Sequence, residues 1–88
     1  MKLSDLNKNK PVFTTSFVTD NHSSIVFVSI DNDFDIQMFS EEGAAMDKAK
    51  IVSLENILQI DNSISTLPDF EKNTKFYRKN KNADWQKV

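Results

Sequence analysis

Two stretches of this chain hold residue types whose spacing could do chemistry. The first, DNDFDIQMFSEE from Asp31 to Glu42, has acids at positions one, three and five, an apolar residue at eight and Glu at twelve. That is the ligand spacing of a calcium loop. Its sixth position, however, is Ile36, where the sharp turn of such a loop calls for Gly, and its flanks alternate as strands do. The reading that follows is an acidic hairpin turn with solvated carboxylates and no metal. The second stretch, Asp20, His22, Ser23 and Ser24, supplies the residue types of a hydrolytic triad. All four fall in one short loop, where nucleophile, base and orienting acid are hard to align, and no oxyanion motif accompanies them. The single glycine, Gly43, leaves no glycine-rich phosphate loop. With no cysteine there is no thiolate nucleophile, thiolate metal site or disulfide. The chain is therefore expected to be a non-enzymatic protein without a cofactor.

Charge is the next signal. The net value of −2 conceals a segregation along the chain. Residues 1–19 set Lys2, Lys8 and Lys10 against Asp5. Residues 20–71 set eleven acids against only Lys48 and Lys50, and residues 72–88 set six bases against Asp84. Such asymmetry can steer a partner, or it can be internal, with a basic last strand lying against an acidic hairpin. Lys72, Lys75, Phe76, Tyr77, Arg78, Lys79 and Lys81 interleave bases with aromatics, as binders of single-stranded nucleic acid do. The acidic body argues against nucleic acid as the partner.

Eighty-eight residues make one domain, and 39% apolar with 27% charged content is that of a globular chain. Residues 1–11 are polar and are expected to form a flexible N-terminal segment ahead of a single domain over 12–88. No apolar run is long enough for a signal peptide or a membrane span, which predicts a cytoplasmic protein without membrane contact. VFTTSFV (12–18), SIVFVSI (24–30) and FDIQMF (34–39) alternate as strands and are expected to pair as an antiparallel meander. The middle strand, apolar on both sides, predicts cover on both faces.

The organising unit is AKIVSLENILQIDNSI, Ala49 to Ile64, read as a short buried strand running into a helix. Ser53 is placed to cap that helix, Val52 and Ile57 have the spacing of a hydrophobic staple, and Glu55 complements the helix dipole. Leu54, Ile57 and Leu58 form its apolar stripe, so Leu58→Ala is expected to cost about 2–5 kcal/mol. Asn62 is placed to cap a further short turn that ends at Pro68. TKFYRK, Thr74 to Lys79, reads as an exposed edge strand, and Trp85 as an anchor docking the tail on the core. These elements predict an α+β domain: an antiparallel sheet of four or five short strands with one principal helix packed on one face.

With FVSIDNDFDIQMF before the central unit and FYRKNKNADW after it, the chain resembles short bacterial proteins grouped with immunity proteins of polymorphic-toxin systems. The correspondence lies in Asp31–Phe39, Ile51–Asp61 and Phe76–Trp85, within a span of about Val12 to Trp85. Phe34 stands where that pattern has Gly, Ile36 where it has Trp, and PDFEKN lacks its Gly-aromatic pair. The resemblance implies a protein that neutralises a toxin by stoichiometric binding. Asp31, Asp33, Asp35, Glu41 and Glu42 would then steer a basic partner. A small-ligand module and a self-associating domain, as a homodimer along a strand edge, are the alternative expectations.

Overall fold

The computed structural model describes residues 1–88. Six strands form one mixed sheet: β1 (Pro11–Thr15), β2 (Phe27–Ile30), β3 (Ile36–Phe39), β4 (Ala49–Ser53), β5 (Thr74–Tyr77) and β6 (Gln86–Lys87). Their order across the sheet is β4-β1-β3-β2-β5-β6. Every neighbouring pair is antiparallel except β1 and β3, which run parallel with Val12 opposite Ile36.

The expected meander is therefore corrected. β3 lies between β1 and β2, and only β2 and β3 form a hairpin. The cause lies in residues 16–26. Instead of extending to Val18, the strand ends at Thr15 and the chain makes one helical turn, α1 (Ser16–Thr19). That turn buries Val18, and the following loop buries Ile25 and Val26, so the connection is held by the core rather than by a tight turn. Turn-forming residues reveal that a chain reverses, not which strand it returns beside.

The sheet's inner face carries Val12, Val28, Ile30, Ile36, Met38 and Phe76, all buried. On it packs α2 (Leu54–Ile60), whose first turn is capped by Ser53 Oγ accepting from the Asn56 N–H at 3.1 Å. Leu54 and Ile57 point into the core, while Leu58 is only half-buried at its margin. The 3-10 turn Asn62–Thr66 adds Ile64 to the core, and Leu67 follows it. Asp61, not Asn62, caps that turn by accepting from the Ser63 N–H.

Two further expectations change. β4 is an exposed edge strand rather than a buried one, with Ile51 64% exposed. β5 is no edge, because the chain's end returns as β6 and pairs with it. Residues 1–11 lie against the body: Leu3 joins the core, and Met1 and Phe70 exchange backbone hydrogen bonds at 2.9 and 2.7 Å. Trp85 is buried as expected, its Nε1 donating to Thr66 Oγ1 at 3.2 Å. No helix is long and apolar enough to cross a membrane.

Candidate functional site

The five acids named from sequence do not form one patch. Asp31, Asp33 and Asp35 sit in the β2–β3 turn, exposed, with carboxylate oxygens within 4.8 Å of one another. Asp31 Oδ1 accepts the N–H groups of Asp33 and Asp35 at 2.8 and 2.9 Å, so this carboxylate builds the turn itself. The flanks are strands, and Ile36 lies in the core. Glu41 and Glu42 lie at the other end of β3, about 13 Å of strand away. Glu42 accepts from the hydroxyls of Ser40 and Ser23 at 2.6 and 3.0 Å. The Ser40 bond, then its own backbone N–H and then Ser23 hold this carboxyl below its ordinary range. Glu41 Oε1 accepts from the Tyr77 hydroxyl at 3.3 Å.

The triad residue types are likewise dispersed in their bonding. Asp20 accepts from Thr19, Ser23 donates to Glu42, and neither is hydrogen-bonded to His22. His22 has φ +57°, set by the turn. With Ser23, Ser24, Asp61 and Lys81 it lines an open polar groove of about 500 Å³ beside the end of α2. Beneath that groove lies a residue that sequence reasoning placed on an exposed edge. The side chain of Arg78 is fully buried. Its Nε donates to Ile25 O at 2.8 Å, Nη1 to Lys81 O at 3.3 Å and Nη2 to Asp61 Oδ2 at 3.3 Å. Its guanidinium also stacks over Trp85 at 4.3 Å. Burial lowers the guanidinium's pKa and Asp61 opposes that shift. A planar donor fork can join three segments and one ring in this way; an ammonium cannot. Arg78 is thus a structural hub.

The feature without a structural task is the sheet's outer face. Helix α2 spans only about 10 Å and covers one side. On the other side Phe13 pairs with Ile51 and continues into Gln37, Ser29 and Lys75, while Phe39, Phe27 and Tyr77 form a second, aromatic row on the same face. Phe13 is 40% and Phe27 37% exposed, so β2 is not covered on both faces as its apolar run implied. The Ser40–Lys48 connection borders this face and divides it into two recesses. One, about 260 Å³, is lined by Phe13, Phe39, Ala45 and Met46; the other, about 350 Å³, by Phe27, Phe39, Glu41 and Tyr77. Met46 is 96% exposed at the rim of the first. Beside that recess the Thr14 and Thr15 hydroxyls are buried with no hydrogen-bond partner in the protein.

Between sheet and α2 lies a 15-residue core, and the recesses open at the surface. The outer face was legible in principle: a chain with one short helix has cover for one face only. Which aromatics share that face depends on register, which the sequence leaves open.

The class this architecture defines is a two-layer α/β domain with a partly exposed aromatic sheet face. No protein-family model, no curated protein and no solved structure matches the chain.

Proposed function

We propose that this chain is a non-enzymatic binding protein that takes a basic protein partner on the outer face of its sheet, as an immunity protein occludes a toxin. The observation that carries the reading is the outer face, where the pair Ile51 and Phe13 and the row Phe39, Phe27 and Tyr77 meet at the recess shared by Phe13 and Phe39, with Phe13 40% and Phe27 37% exposed. Contiguous exposed apolar surface of this kind marks interaction sites, and aromatics are the residues that dominate binding energy once desolvated. Four spacings of about 4.8 Å between five strands and strands of four or five residues give a face of roughly 19 by 15 Å. A standard interface takes about 800 Å² from each partner, so contact would spread onto the bordering connection with Glu41 and Glu42. These acids form a polar rim beside an apolar centre. They, rather than the Asp31 turn, are the steering acids of this reading.

The test is capture of partners from the source organism with three tagged proteins: wild type, Phe13→Ser/Phe27→Ser, and Gln59→Ala on the exposed side of α2. The expected result is one basic protein held by wild type and Gln59→Ala, released by salt and lost from the Phe→Ser variant. Equal retention by all three would remove the face from the mechanism. A concentration-dependent mass that disappears in the Phe→Ser variant would replace the foreign partner with a second copy of this chain.

A further inference from the structure

We infer that the recess between Phe27, Phe39 and Tyr77 is an arginine subsite: it receives a guanidinium side chain of the protein partner against Glu41. The inference rests on the outer face being the binding surface and adds what one part of it recognises. Its floor is aromatic, with Phe27 and Tyr77 edge to face at a centroid separation of 5.9 Å and Phe39 paired to Phe27 from the other side. Aromatic faces attract cations, and guanidinium most often. Its rim is anionic, since Glu41 lines both this recess and the shallower one beside it, where Glu42 joins.

The carboxylate of Glu41 is available. The chain contains a single ion pair, Arg78–Asp61, so neither Glu41 nor Glu42 is neutralised internally. Glu42 gives both oxygens to serine hydroxyls, whereas Glu41 gives only Oε1, to Tyr77. The second oxygen of Glu41 has no protein donor. Tyr77 and Glu41 therefore hold one another at the recess, leaving one acceptor free for a charge-assisted bond. At about 350 Å³ the recess is at the small end of ligand clefts and suits one long side chain, with room for its stem on Ala44 and Phe39. Lysine is the poorer occupant, because a strongly hydrated ammonium stacks less well on an aromatic floor. The chain's own cations nearby, Lys79 in the adjoining recess and Lys75 two residues before Tyr77, are unpaired and would repel a guanidinium unless the carboxylate outweighs them.

The test is an NMR titration with N-acetyl-arginine methylamide, its lysine analogue and its neutral isostere N-acetyl-citrulline methylamide, at constant ionic strength. Gly43 borders the recess and is the only glycine, so its amide is a single resolvable reporter alongside the Tyr77 ring. Arginine should give a saturable shift at both reporters with a dissociation constant in the range of roughly 1–30 mM. Citrulline should give none, and lysine should bind at least threefold more weakly. Glu41→Gln should weaken arginine at least threefold while leaving the rest of the spectrum in place. Equal shifts from citrulline, or no saturation with arginine, would overturn the subsite. So would full arginine binding in Glu41→Gln. The two proposals fail separately. A partner that needs Phe13 and Phe27 but binds Glu41→Gln as tightly as wild type leaves the face and removes the subsite. Arginine binding without any face-dependent partner does the reverse.

Discussion

Replacing Arg78 by Met tests the central packing argument, because Met keeps much of the stem against Trp85 and removes every donor. Three bonds are lost: those to Ile25 O, Lys81 O and Asp61 Oδ2. Removing one partner of a buried ion pair costs about 3–5 kcal/mol, because the remaining charge stays desolvated. Here the cost should fall at the lower end, about 3 kcal/mol. The Asp61 side chain keeps 11% exposure and still accepts from the Ser63 N–H. A chain of this length has a total stability of roughly 4–13 kcal/mol, so Arg78→Met should remain folded in water but lose a large share of its margin. In a urea melt followed by far-UV circular dichroism and by the single tryptophan, a slope of about 1.2 kcal/mol/M puts the midpoint shift at roughly 2–3 M. Adding Asp61→Asn to Arg78→Met should then recover about 1 kcal/mol, since the stranded charge is gone while the amide oxygen can still cap Ser63. A loss below about 1 kcal/mol in Arg78→Met would refute the hub assignment. A strictly additive double variant would refute the charge as its cause.

Two further outcomes follow from the same structure. Ile57→Ala should cost about 2–5 kcal/mol by urea melt, as Ile57 is fully buried, whereas half-buried Leu58→Ala should cost about 1; equal costs would contradict the orientation of α2. Tyr77, the only tyrosine, should titrate above the ordinary 10.0, first because of the Glu41 charge and then because of desolvation and its hydrogen bond to Glu41. Its folded pKa being raised, the stability it contributes is present below pH 10.0 and is lost as pH rises through the folded value. Glu41→Gln should return the phenolate absorbance transition toward 10.0, and an unmoved transition would break the Tyr77–Glu41 assignment.

Local features of this domain were open to reading from residues alone. Ser53 had to cap a helix because its hydroxyl precedes an amphipathic run, and it accepts from Asn56 as that position requires. The Asp31 turn followed from Asx chemistry, and Trp85 from the area such a ring must bury. The charge segregation does not set the pairing: β5 lies against β2, which carries no acid. Nor does it produce a set of ion pairs, since only Arg78 meets a carboxylate.

Other features depended on contacts between residues far apart in the chain. Arg78 lies in the run TKFYRKN, where its neighbours Lys75 and Lys79 are exposed; nothing local distinguishes it from them. It is buried because Ile25, 53 residues away, and Asp61, 17 away, supply the acceptors that make a desolvated guanidinium tolerable. The outer face has the same origin. Phe13, Phe27, Phe39, Ile51 and Tyr77 each occupy an ordinary strand position, and inserting β3 between β1 and β2 sets them on the same side of the sheet. Capping, turns and periodicity are properties of a few successive residues, so the sequence alone determined them. Strand order is set by which apolar faces fill a shared core, and only the tertiary structure decided that order and the outer face it creates.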